Sequence, residues 1–220
     1  MKKSASKLAK ELHEHVPPDW YYRAINYDRN FIRKYVHLNR FREVGKLIEP
    51  NGGKILDIGC ADGVFTKVIL DKSRADKVIG IDVLERSIAW ATKHWKHEKH
   101  LEFEVVDAHK LPFKNKEFDA VFALEVLEHV FEPVKVLGEI KRVLKNDGYI
   151  IFLVPAETFL FKFIWYFWTK YTKSRIWKET HIHAYSGNFM VKLVKVLGFK
   201  IEVDKKIIFG TLHLIKARKK

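Results

Sequence analysis

The stretch GKILDIGCADGVFTKVI, Gly53 to Ile69, decides how the rest of the chain is read. Its apolar run ends at Asp57 and crosses a loop holding Gly59 and Gly63. It then resumes with apolar residues at helical spacing. A strand, a glycine loop and a helix in that order form a cradle for a nucleotide-like ligand. A dinucleotide fingerprint would need glycines at 59, 61 and 64, but the chain has Gly59, Ala61 and Val64. A Walker-type phosphate loop fails as well, because no Gly-Lys-Ser/Thr follows. Asp57 and Asp62 would repel a pyrophosphate docked on the helix start.

Moving outward, short apolar runs alternate with helical segments. The expected strands are 54–59, 77–82, 101–107, 118–124 and 149–155. The intervening helices are expected at 63–73, 86–98 and 133–145, the last stopped by Asn146-Asp147-Gly148. Continuous apolar strands separated by helices imply a parallel sheet covered on both faces. A further helix over 186–198 leads to FKIEVD and IIFGTLHLIKAR, too close together for a helical crossover and hence antiparallel. The fold class expected is α/β: a Rossmann-like, mostly parallel seven-stranded sheet with one antiparallel strand and helices on both faces. Residues 1–50 read as an N-terminal helical extension. Within it, 1–18 look like a weakly helical or frayed leader ended by Pro17-Pro18, and 29–48 an amphipathic helix through Phe31, Tyr35, Leu38, Phe41, Val44 and Ile48. Residues 51–220 read as one domain, with an aromatic-rich cap inserted at 156–185.

The strand ends collect acid. Strand one ends at Asp57, strand two at Asp82 and strand three at Asp107, and Glu125 and Glu128 follow strand four. Ligands of open α/β sheets bind beyond the carboxyl ends of the strands. The crevice is therefore anionic although the chain carries a net charge of +14. Its ligand should bear ribose and adenine without phosphate, together with positive charge; S-adenosylmethionine, a sulfonium with an ammonium and a carboxylate, meets those terms.

At this point the sequence resembles the class I methyltransferases, in particular the small-molecule group that includes the ubiquinone-biosynthesis methyltransferases. The resemblance runs from about Gly53 to Arg218. It rests on LDIGCADG, GIDVLERSIAWA, DAHKLPF and FDAVFALEVLEHV…VLGEIKRVLKNDGYIIFLVP. It implies that Asp57, Gly59 and Gly63, with Cys60 and Asp62 in the same loop, shape the pocket for the methionine part. It further implies that Asp82, with Val83 beside it, takes the ribose hydroxyls, that Asp107 and the Ala108 N–H take the adenine, and that Leu124 offers its carbonyl to the ammonium. Ala61 departs from the pattern, where glycine is frequent. The helix around Arg33, His37 and Arg40 is placed to close over the cofactor carboxylate.

Methyl transfer from a sulfonium is an in-line displacement, so the protein mainly positions and desolvates the reactants. A base is needed only where the acceptor must lose a proton; the candidates are His129, His181 and His183. No metal is expected: His94, His97 and His100 lack carboxylates at matching spacing, and His181-x-His183 lacks a third ligand. Cys60 is the only cysteine, which excludes an intramolecular disulfide and fits a cytoplasmic location. It lies in the cofactor loop, which argues against methylation of pyrimidine carbon five.

The segment AETFLFKFIWYFWTKYTKSRIWKET (156–180) sets aromatics beside lysines and arginines. That composition suits a cap packed on the domain, peripheral contact with a membrane surface, or an aromatic platform for RNA. It is too short and too charged to span a bilayer. The expected acceptor is a small molecule, hydrophobic or lipid-like, with oxygen as the first choice of atom. An RNA methyltransferase, and a non-catalytic cofactor-binding or membrane-adaptor protein, are the alternatives.

Overall fold

The computed structural model describes residues 10–50, 52–156, 170 and 188–220. Seven strands form one sheet: β1 (Lys54–Ile58), β2 (Lys77–Asp82), β3 (Leu101–Val105), β4 (Phe118–Leu124), β5 (Leu144–Pro155), β6 (Phe199–Ile207) and β7 (Leu212–Lys219). Their order is β3-β2-β1-β4-β5-β7-β6. β7 runs antiparallel to both neighbours, and the pairings among β1 to β5 are all parallel. The Rossmann-like arrangement expected from the sequence is therefore present. The chain steps from β1 to β2 and β3 on one side, then returns to place β4 on the other. That reversal opens a crevice between the ends of β1 and β4.

Helices α1 (Trp20–Asn26), α2 (Phe31–Gly45), α3 (Val64–Ser73), α4 (Glu85–His94), α5 (Pro133–Val143) and α6 (Phe189–Val196) complete the fold. Side chains alternate across a strand, so β1 feeds two cores. Leu56 and Ile58 join Val136, Leu137 and Ile140 of α5 and Met190 and Val194 of α6. Ile55 faces the opposite way, with Val44 of α2 and Phe65 and Ile69 of α3. Asp57 shares that second face, which places its carboxylate against α3. Burying each of these large side chains contributes about 1.5–3 kcal/mol.

The structure corrects several expected boundaries. α4 ends at His94 rather than 98, because Trp95 turns inward and its indole Nε1 donates to the Asp62 carbonyl at 2.9 Å. The third strand stops at Val105, leaving Asp107 in the loop beyond it. α5 ends at Val143, two residues early, and β5 begins at Leu144. Asn146-Asp147-Gly148 interrupts the β4–β5 register inside that strand instead of ending the helix. The final run also divides differently: Ile207 closes β6, and Ile208, Phe209 and Gly210 make a left-handed turn before Leu212.

The leader is not frayed over its described part. Residues 10–13 are helical, and 13–21 lie against the carboxyl end of the sheet. Among the described residues, no helix is long and apolar enough to cross a membrane. The 156–185 cap lies almost wholly outside the described residues.

Candidate active site

The glycine loop owes its shape to backbone that few residues tolerate. Gly59 has φ +71°, and a Cβ there would sit 2.3 Å from Cγ2 of Val126. Gly63 has φ +73°, and a Cβ would meet the Phe103 ring at 2.6 Å. Both conformations favour glycine. Gly59 borders the crevice, whereas Gly63 is pressed against Phe103 behind the loop and caps α3. Ala61 also adopts a left-handed conformation, φ 47°, so the departure from glycine is held under modest strain. The loop is tied to β2 by the N–H groups of Gly59 and Cys60, both donating to the Ile81 carbonyl at 2.8 and 3.0 Å.

Asp82 ends β2 inside the crevice. One carboxylate oxygen accepts from the Ala61 N–H at 3.0 Å, the other from the Leu84 N–H at 2.9 Å. Burial raises its pKa, and those two N–H groups oppose the rise. The carboxylate is thus locked in orientation, with acceptor capacity left over for a ligand. Asp57 is buried, accepts from the Thr66 hydroxyl at 2.7 Å, and is pushed up to about 7 by burial, against the Thr66 hydrogen bond. Asp62 is pushed up to about 6 by burial, opposed by backbone N–H donors. Cys60 is buried among these acids, and burial first, then their charge, drives its thiol well above the usual range.

A cavity at this sheet end is lined by Asp57, Gly59, Cys60, Asp62, Asp82, Val83, Asp107, Ala108, Leu124 and His129, so most of the sequence-derived site converges. Asp107 accepts from both the backbone N–H and ring Nδ1 of His109 through one oxygen, at 2.9 and 2.6 Å. His181 and His183 lie outside the described residues.

Two contributors, the leader and His109, go beyond the sequence reading, and a third, Arg40 of α2, was part of it. The leader supplies His13, Val16, Pro17, Pro18, Trp20 and Tyr21 to the wall. His13 meets His129 edge-on, with ring centroids 4.7 Å apart. His109 is buried in DAHKLPF, where the sequence drew attention only to its neighbours. Third, α2 delivers a buried Arg40 that ion-pairs with Glu125 and donates to Nδ1 of His37. His37 is held neutral, its pKa lowered to about 2 by burial and by the Arg40 charge. The Tyr21 ring lies 5.7 Å from the Arg40 guanidinium. Arg40 of α2 thus faces the crevice with His37 buried beside it, on the helix that the sequence placed over the cofactor carboxylate.

These residues fit a sulfonium nucleoside. The walls hold carboxylates whose pKa values burial has raised, an environment that favours a cationic ligand. Gly59 lets the loop backbone line the cavity while Val126 packs against its Cα, where a Cβ would collide. Among the described residues, no cluster of histidine, cysteine or carboxylate side chains is placed to hold a metal ion.

The methyltransferase domain model known as Methyltransf_11 matches residues 56–152. This chain carries a class I S-adenosylmethionine-dependent methyltransferase domain. It is 26% identical over 181 residues to a demethylmenaquinone methyltransferase of Thermotoga maritima, covering 75% of this chain and 78% of that one. It is 32% identical over 115 residues to a ubiquinone biosynthesis O-methyltransferase of Thiobacillus denitrificans, covering 51% of this chain and 49% of the relative. Among solved structures, the 4+2 cyclase SpnF superposes with a TM-score of 0.77 at 16% identity, over 100% of this chain and 97% of that one. This last likeness concerns the fold alone.

Proposed function

We propose that this methyltransferase acts on a small, hydrophobic or lipid-like acceptor, with oxygen as the receiving atom. The observation that carries the reading is the make-up of the cavity. Beside its carboxylates and loop backbone, its lining is largely apolar, Val16, Pro17, Pro18, Trp20, Tyr21, Phe41 and Val130 included. An apolar wall with few polar groups selects an apolar ligand body and orients it through those few groups. The quinone-pathway relatives support the same class of acceptor and, for one of them, the same atom.

When bound, S-adenosylmethionine supplies an activated methyl group. The chain's own residues then bind, orient and exclude water. Asp82, fixed by two backbone donors, holds the ribose hydroxyls through charge-assisted hydrogen bonds. Asp107 takes the adenine amino group, beside the Ala108 N–H. Asp57 and Leu124 serve the cationic end, with Gly59, Cys60, Asp62 and Gly63 shaping the loop and Val83 flanking the ribose. Arg40, paired with Glu125, would hold the cofactor carboxylate. His129, with His13 against it, stands where an acceptor hydroxyl would give up its proton. Closure by residues 10–21 removes water and aligns the reactants, where most of the acceleration for such a transfer arises.

Calorimetry with S-adenosylmethionine, followed by turnover of apolar phenol or catechol acceptors, tests the reading. Donor binding with transfer to oxygen is expected, and loss of turnover in His129→Ala without loss of donor binding. Transfer only to RNA, or donor binding with no transfer to any phenolic acceptor, would sink it.

A further inference from the structure

The first half of helix α2 turns large apolar side chains outward, while Phe41 and Val44 in its second half pack on the domain. The buried line of α2 holds His37, Arg40 and Val44, and Arg40 reaches the cavity. Its outward line runs through Phe31, Tyr35, Leu38 and Arg42, at i, i+4, i+7 and i+11. Phe31 is 88% exposed, Ile32 77%, Tyr35 56% and Leu38 44%; Tyr27, just before the helix, is 71% exposed. Large apolar side chains clustered on one exposed helix face mark an interaction surface rather than scattered surface residues.

The charge around this stripe selects the partner. From Arg29 to Arg42 the chain has no aspartate or glutamate, but it has Arg29, Arg33, Lys34, Arg40 and Arg42. The acids at either end are already engaged, Asp28 by Arg33 at 2.9 Å and Glu43 by Lys205 at 2.7 Å. Arg29 and Arg42 are exposed and Lys34 half-buried, so cations rim the aromatic stripe. Rings at headgroup depth with cations beside them match an anionic bilayer interface.

We infer that the outer face of α2 docks the protein on an anionic lipid surface. Docking there sets the cavity wall formed by Arg40, Phe41 and Val44 about one helix diameter, about 10 Å, from the bilayer. An apolar acceptor could then enter without crossing water. The inference deepens the lipid-like-acceptor reading, but vesicle binding requires neither donor nor acceptor, so either can fail alone.

The full chain is sedimented with phosphatidylcholine vesicles, with and without phosphatidylglycerol, across salt. Binding to the anionic vesicles, weakened by salt, is expected. The double variant Phe31→Ser with Leu38→Ser should lose at least about tenfold in partition. Arg29→Glu with Lys34→Glu should lose at least about fivefold for each charge. Calorimetry with S-adenosylmethionine checks that each variant is folded. Unchanged partition in the Phe31/Leu38 variant overturns the inference. So does a chain that ignores vesicles but dimerises through the same residues.

Discussion

Tyr22 donates its backbone N–H to the Asp62 carboxylate at 2.8 Å, joining the N-terminal segment to the glycine loop. Asp62 lies in the motif that the sequence presented as a cofactor loop, yet in the structure it also fastens the cover. Its second oxygen accepts from the Val64 N–H at 3.3 Å, at the start of α3.

Asp62→Ala removes an acceptor from both donors. A buried N–H left without its partner costs about 1–3 kcal/mol. Amide hydrogen exchange over residues 10–22 should accelerate in this variant, while β4 and β5 stay protected. Uniform acceleration across the sheet would show that Asp62 supports the whole domain instead.

Asp82→Ala should weaken S-adenosylmethionine binding by about 2–4 kcal/mol, as two hydrogen bonds to a charged acceptor are lost. Calorimetry reads this directly. Asp82→Asn should recover part of the loss by keeping an acceptor oxygen. Unaltered affinity in the alanine variant would remove Asp82 from the ribose site.

Donor affinity should rise with pH. Asp57 titrates at about 7 and Asp62 at about 6 in the free protein, both raised first by burial. A cationic ligand favours their ionised forms, so binding releases protons near neutrality and affinity climbs from pH 5 to about 8. Calorimetry in buffers of different ionisation heat counts those protons. Asp57→Asn should flatten the upper part of the curve. A pH-independent affinity would place the positive charge of the donor elsewhere.

Glu128 is buried, and among the described residues neither of its carboxylate oxygens has a hydrogen-bond partner. Burial raises its pKa from 4.5 to about 8, against the nearby Arg40 charge. The folded state therefore holds a proton that the unfolded chain releases near 4.5. The stability linked to it is intact below that pH and is lost as pH climbs through about 8. Glu128→Gln stays neutral throughout, so its stability advantage should grow from almost nothing at pH 4.5 to a few kcal/mol at pH 8.5. Parallel thermal-denaturation curves for the two proteins would contradict this.

Much of the sheet was legible because buried parallel strands are continuous apolar runs, and Asp57, Asp82 and Asp107 mark their crevice ends. The glycine loop was legible because Gly59 and Gly63 occupy backbone that other residues enter at a cost. The boundaries at Trp95 and Asn146-Asp147-Gly148 were not, because an indole reaching Asp62 and a bulge inside β5 are tertiary events. The short helix at 10–13 agrees with the weakly helical reading of the leader, but its place against the sheet end was not legible. Glu11, His13, Glu14, Pro17 and Pro18 have no helical apolar pattern, and they are ordered by what lies beneath them. On α2 and just after it, the apolar spacing was half right: Phe41, Val44 and Ile48 pack inward, while Phe31, Tyr35 and Leu38 turn outward.

The position of residues 10–22 has a kinetic consequence. They are held by the Lys10–Glu85 pair at 2.7 Å, by Arg86 donating to the Glu14 carbonyl, and by Tyr22 on Asp62. An exposed ion pair of this kind is weak, so much of the hold comes from the other contacts, buried Val16, His13 against His129 and Tyr22 on Asp62 among them. Because this segment lines the cavity, we expect spent donor to leave only after it releases. We expect the catalytic cycle to be timed by that peeling step, so that added viscogen slows steady-state turnover while a single enzyme-bound methyl transfer proceeds undisturbed.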